Sequence, residues 1–145
     1  MALFQGFSIS ASGMTAERFR MDIIAENVAN VNTTRTEDGT PYRRKIVTFA
    51  EKGTPSFGDY LSKARVYAGN GVKVTKVSED TETDFMMEYD PAHPDADENG
   101  YVSYPNVNLV TEMTNLIDAS RAYEANITAF EAGKSMAQAG LQIGK

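Results

Sequence analysis

The chain contains no cysteine. That excludes disulfides, a thiolate nucleophile, iron–sulfur clusters and cysteine-based structural zinc at once. Its single histidine, His93, leaves almost no room for a zinc, haem or Ser-His-Asp arrangement. Long apolar runs are missing too: nothing approaches the ~20 residues of a membrane span, and the mean hydropathy is −0.38. Positive charge is scarce, with 14 Lys and Arg against 20 Asp and Glu and a net charge of −6. Such a chain has no general attraction to phosphate backbones or anionic lipid, which speaks against nucleic-acid and membrane-surface roles. Proline is confined to positions 41–105. What remains, 145 residues with 41% hydrophobic and 23% charged, suits a single folded domain rather than a disordered chain. The start, Met1 to Phe7, has neither a positive n-region nor a continuous apolar h-region. No cleaved Sec signal is expected, so the chain is read as cytoplasmic or exported without cleavage.

Three segments follow from the pattern: residues 1–34, 35–107 and 108–145. The first reads as a helix from about Leu3 to Thr34. Phe7, Met14, Met21 and Val28 recur every seven residues, and Leu3, Ile24 and Val31 fill the same stripe. It is expected to end in the run of Asn27, Asn30, Asn32, Thr33 and Thr34, residues that favour turns over helix interiors. The last segment reads as a second long helix, with Asn108 as N-cap and Glu112 in the first turn. Its stripe runs Leu109, Met113, Leu116, Ser120, Tyr123, Ile127, Phe130, Lys134, Ala137, Leu141. Those alternating steps of four and three are the period of a coiled-coil seam. The middle segment carries strand and turn signals: Arg43 to Phe49, Val66-Tyr67, Val72 to Val77, Phe85 to Tyr89, and Tyr101-Val102. The fold class expected is therefore α+β: two long terminal helices forming a coiled-coil-like pair, with a small β-rich insert between them.

Size then poses a problem. Each helix would be roughly 50 Å long at 1.5 Å per residue, and an insert of about seventy residues cannot cover both. Their stripes must bury against each other or against other copies, with coupled ordering on assembly as the natural inference. A plain antiparallel hairpin of helices within one chain is the alternative. Charge is also segregated: Val77 to Ser120 holds eleven Asp and Glu and no Lys or Arg. That is either a solvated acidic loop or a face that meets a basic one on a neighbouring subunit.

Several motifs tempt a chemical reading. Asp95-Ala96-Asp97-Glu98-Asn99-Gly100 matches the first half of an EF-hand loop. Position twelve is Asn106, however, which cannot close a calcium shell, so a polar turn is favoured. His93, between Ala92 and Pro94, lacks an orienting framework for catalysis. Gly69-Asn70-Gly71 lacks the third glycine and following helix of a dinucleotide loop and reads as a hairpin turn. Arg43-Arg44-Lys45 reads as a solvated or interface face. Ala129, Gly133 and Ala137, four apart, suit a close helix crossing.

Beyond these, Ser12-Gly13-Met14-Thr15-Ala16, Arg20-Met21-Asp22 and Ala25-Glu26-Asn27-Val28-Ala29-Asn30-Val31-Asn32-Thr33 resemble the N-terminal signature of bacterial flagellar rod and hook proteins. Asp38 to Arg43, Gly71 to Val74, and Tyr89-Asp90-Pro91 through Pro105-Asn106-Val107 are similar to the proximal-rod members of the basal-body rod protein family. So are Glu112-Met113, Ala119-Ser120-Arg121 and Lys134-Ser135-Met136. The resemblance implies a structural, non-enzymatic subunit of the basal-body rod, which self-assembles through its terminal helices into the drive shaft that transmits torque in motility. It implies a periplasmic location after type III export without signal cleavage. The implied partners are further copies, neighbouring rod proteins and the membrane ring and export apparatus base. No cofactor, metal, nucleic acid or small-molecule substrate is implied. The assembly seam expected from these readings comprises Phe7, Met14, Met21, Ile24, Asn27, Val28, Asn30, Val31, Asn32, Leu109, Met113, Leu116, Tyr123, Ile127, Phe130 and Leu141. Competing readings are a calcium-binding module and a different axial protein.

Overall fold

The computed structural model describes residues 2–53 and 70–143. The strand expected at Val66-Tyr67 and the loop signals at Pro55, Gly58 and Gly69 lie outside them. Helix α1 (Ala2–Ala29) is followed by strands β1 (Lys45–Glu51), β2 (Val72–Glu79), β3 (Met86–Tyr89) and β4 (Tyr101–Tyr104), then helix α2 (Leu109–Ile143). The α+β class and the helix–strands–helix order match the sequence reading.

Boundaries follow side-chain chemistry. Helix α1 ends at Ala29, inside the expected run from Asn27 to Thr34, where the Asn30 side chain binds both the last turn and the residues that follow. Its Nδ2 donates to the Glu26 carbonyl at 2.9 Å, and its Oδ1 accepts from the Thr33 hydroxyl at 3.1 Å. The next backbone bonds, Val31 N to Val28 O and Thr33 N to Asn30 O, tighten to three-residue spacing. Helix α2 starts where expected: Asn108 Oδ1 accepts from the Thr111 N–H at 3.0 Å, the geometry of an N-cap.

Strands β1 and β2 form one two-stranded sheet, and β3 and β4 form another. The β3–β4 pair is antiparallel, with Met86 opposite Tyr104 and Tyr89 opposite Tyr101. Its connection folds on itself. Gly100, at φ +81°, donates to the Asp97 carbonyl at 3.0 Å, a position where a side chain would be strained.

Contacts divide the chain into two compact units. The first comprises 1–19, 48–76 and 119–145; the second comprises 20–47 and 77–118. The second holds most of the described core: Ile24, Tyr42, Val102 and Val107, with Asn27, Asn106 and Glu112 buried among them. Among its described residues the first buries only small ones, Gly13, Ala16 and Ala119. There Gly13 lies where a Cβ would stand 2.6 Å from the Asn126 side chain, and the Phe7 and Phe130 rings meet at 5.0 Å. Gly133 lets Phe7 approach, since a Cβ there would sit 3.2 Å from the ring. Low residue numbers of α1 thus meet high numbers of α2, so the two segments run antiparallel in this unit.

Candidate assembly site

A glutamate is the largest fully buried side chain described. Glu112 and Asn27 are each 1% exposed, and both belong to the second unit. A buried carboxylate needs charge and hydrogen-bond partners, and the second unit supplies them from α1 and from the segment before β1. Arg44, just before β1, donates from Nε and Nη2 to Glu112 Oε1, both at 2.8 Å, a forked approach that fits guanidinium geometry. Asn27, one turn from the end of α1, donates from Nδ2 to Glu112 Oε2 at 3.0 Å and to the Lys45 carbonyl at 2.9 Å. Its Oδ1 accepts from the Tyr42 hydroxyl and the Lys45 N–H, each at 2.9 Å. All four hydrogen-bonding positions of the Asn27 amide are therefore filled within the chain.

The network extends outward. Asn106 Oδ1 accepts from the Arg44 N–H at 2.8 Å, and its Nδ2 donates to the carbonyls of Asp80 and Thr83 at 2.9 and 3.1 Å. The Asp80 carboxyl is held below its usual 3.8, chiefly by the Thr83 backbone N–H, with help from the Thr83 hydroxyl, the Glu82 N–H and the Arg44 charge. Tyr42 is pushed up to about 12, first by burial and then by the charges of Glu26, Glu112 and Glu79. Lys45 pairs with Glu26, and the Arg43 guanidinium stacks 4.3 Å from the Phe85 centroid. The Arg43-Arg44-Lys45 run is thus a half-buried set of internal contacts rather than a solvated face.

The large apolar side chains are placed otherwise. In the second unit, Leu109, Val110, Met113, Leu116 and Ile117 are all exposed, Val110 by 74% and Met113 by 54%. At 3.6 residues per turn these five lie on one arc of about 120°, roughly a quarter turn around α2 from Glu112. On α1 the most buried line, Gly13, Ala16, Ile24 and Asn27, is likewise offset by roughly a quarter turn from Phe7, Met14, Met21 and Val28.

The residues expected at the seam therefore fall into groups. Ile24 and Asn27 are buried inside the chain, and Asn30 shapes the end of α1. Phe7, Met14, Met21, Val28, Tyr123, Ile127 and Phe130 are half-buried. Val31 and Asn32 line a cavity of about 440 Å³ with Met86, Met87, Glu88 and Tyr104. Leu109, Met113, Leu116 and Leu141 are exposed. Sequence reading did not single out Val110 or Ile117, and it gave Tyr42 and Arg44 no role in a buried network. Val110 and Ile117 were legible as i+1 and i+8 companions of Leu109. Arg44 and Tyr42 carried no local signal, because their partners are distant in the chain. Asp97, the central acid of the EF-hand-like stretch, accepts from the N–H groups of Asn99 and Tyr101 through one oxygen at 2.8 and 2.9 Å. This is the polar turn favoured from sequence.

Comparison with known proteins gives these surfaces a context. A family described as flagella basal body rod protein matches residues 7–35. A second, described as flagellar basal body rod FlgEFG protein C-terminal, matches 98–143. The chain is similar to flagellar basal-body rod protein FlgC of Bacillus subtilis, at 45% identity covering 100% of both chains. It is similar to FlgC of Borreliella burgdorferi at 44% identity over 99% of this chain and 98% of the other. To FlgC of Salmonella typhimurium it is 39% identical over the full length of both. The two matched stretches contain most of α1 with its asparagine-rich end, and nearly all of α2 with the loop that carries Asn106. With identity extending over whole chains, the chain belongs to the FlgC family of flagellar basal-body rod proteins.

Proposed function

We propose that this chain is a structural subunit of the flagellar basal-body rod and works by assembly, without catalysis. The carrying observation is the exposed arc of Leu109, Val110, Met113, Leu116 and Ile117. Five large apolar side chains on one helix face exceed what scattered surface residues account for, and such a patch marks an interaction site. In this reading segments 1–34 and 108–145 are the assembly core, and 35–107 is the insert displayed from it. The terminal helices join coiled-coil-like seams with further copies and with neighbouring rod proteins, through the seam residues from Phe7 to Leu141 named above other than the buried Ile24 and Asn27. Asn27 and Glu112 do not reach across such a seam. They hold the start of α2 against the end of α1, so that the apolar arc is presented on a rigid base.

Head-to-tail contacts that do not close into a ring produce an open helix, which suits a shaft. Close-packed seams distribute torque over many contacts rather than one. Membership of the rod family supports a place in the periplasmic rod above the membrane ring, and delivery by the flagellar type III export machinery without a cleaved signal. The test is to extract flagellated cells with detergent, pellet intact basal bodies and search for this chain by mass spectrometry. Recovery with rod and ring components is expected. A purely soluble pool in flagellated cells would overturn the reading.

A further inference from the structure

The two units carry opposite charge. The first has nine Lys and Arg against five Asp and Glu, a net of +4. The second has five against fifteen, a net of −10. Arg44 and Lys45 neutralise Glu112, Asp80 and Glu26 inside the second unit, but Glu79, Glu82, Asp84, Glu88, Asp97 and Glu98 remain exposed. Each unit also displays an apolar feature amid its charge.

In the second unit the β3–β4 register puts Met87 opposite Ser103 and Tyr89 opposite Tyr101, on the face opposite to buried Val102. Met87 is 57% exposed, and the Tyr89 and Tyr101 rings meet edge to face at 5.3 Å. Asp97, whose Oδ1 accepts from the Tyr101 N–H at 2.9 Å, adjoins this methionine–tyrosine face, and Arg35, which lines a cavity with Tyr101 and Ser103, is paired with Asp95 at 3.6 Å. In the first unit a cleft of about 330 Å³ has Ala16, Phe19, Val72 and Val74 on its walls and the exposed Lys52 and Lys73 among its lining residues. No acidic side chain is among the described residues that line it.

Resting on the rod reading, we propose that the Met87–Tyr89–Tyr101 face of one copy docks into the Lys52–Lys73 cleft of the next copy. Charge selects this occupant. A knob set among carboxylates fits an apolar cleft rimmed by ammonium groups, and two like surfaces would repel. The two surfaces differ, so the contact is heterologous and leaves a free knob and a free cleft at the ends, the geometry that propagates a filament. Methionine and tyrosine suit the role: one adapts to the cleft, and the other offers a large apolar ring with a polar tip.

The absence of cysteine makes the test clean. Phe19→Cys and Met87→Cys chains are produced separately and together in motile cells, basal bodies are isolated, and thiols are joined by mild oxidation. A reducible dimer of this chain is expected only when both variants are present, since position 19 meets position 87 and neither meets itself. Lys52→Glu with Lys73→Glu in the Phe19→Cys chain should abolish the dimer without lowering the melting temperature of the purified protein. Basal bodies that contain both chains but give no dimer overturn the proposal and leave the rod reading standing. So does a dimer from either single variant alone, which would mean a symmetric contact. Absence of the unmodified chain from basal bodies defeats the rod reading itself.

Discussion

Asn27 is the residue on which most depends. Replacement by Ala strands the Tyr42 hydroxyl, one Glu112 oxygen and the Lys45 peptide groups in a buried site. Leaving buried polar groups unpaired costs about 1–3 kcal/mol each, so Asn27→Ala should destabilise by about 3–5 kcal/mol. Thermal melting of the purified protein should show a drop of roughly 10 °C. Asn27→Asp keeps the shape but puts an oxygen where Nδ2 now donates, 3.0 Å from Glu112 Oε2. It should also destabilise at neutral pH, which separates hydrogen bonding from packing.

The same network predicts both arms of the pH profile. Asp80 has a folded value below 3.8, so its contribution is complete above that pH and is lost as pH falls through the folded value. Tyr42 is raised from 10.0 to about 12. The unfolded chain therefore loses this proton first, and stability should fall between those two values by about 2–3 kcal/mol. Chemical denaturation across pH should show both limbs. Tyr42→Phe should flatten the alkaline one, and Asp80→Asn the acid one.

At the scale of elements, close approach matters more than propensity. Gly71, at φ +89°, precedes β2 at a place where a Cβ would stand 2.1 Å from Ser12 Oγ and 3.3 Å from the Ile9 Cα. Ser12 Oγ accepts from the Val72 N–H at 3.0 Å while donating to the Ile9 carbonyl at 2.7 Å. Gly71→Ala combines a strained backbone with a clash and should break this docking. Increased hydrogen exchange at the Val72 amide is the expected readout. A wild-type exchange rate would contradict the contact.

Element type was largely legible in the sequence, because seven-residue spacing and the Asn108 cap are local signals. Which face each helix buries was not. The sequence reading points to Met14, Met21, Leu109 and Met113 beside Ile24 and Asn27, whereas the described residues that the helices bury are Gly13, Ala16, Ile24, Asn27, Glu112 and Ala119. Small residues leave no hydrophobic signal, and a buried Glu is recognisable only once Arg44 and Asn27, distant in sequence, are brought to it. The end of α1 falls inside the expected asparagine-rich run, but its exact place, marked by Asn30 bonding both to Glu26 and to Thr33, is not recorded by periodicity.

For the whole molecule, the described residues combine a small interior, in which Asn27, Asn106 and Glu112 sit among Ile24, Tyr42, Val102 and Val107, with a row of large apolar side chains exposed on α2. An isolated globular protein gains by the opposite arrangement. A subunit whose packing is completed by neighbours gains by this one, because apolar area left exposed in the free chain becomes the driving force of assembly. The polar clamp fixes the start of α2 without using that area, so the proposed assembly would draw on residues other than those that hold the subunit together. Val110→Glu with Met113→Glu should therefore leave the melting temperature near that of the unaltered chain, since the two side chains are already 74% and 54% exposed.

The most direct test is the amount of this double variant recovered in purified basal bodies, measured beside the unaltered chain in cells lacking their own copy. The expected result is a folded, exported variant that is absent from basal bodies, in cells that do not swim. Full incorporation and normal swimming would contradict the claim that the exposed face of α2 builds the rod.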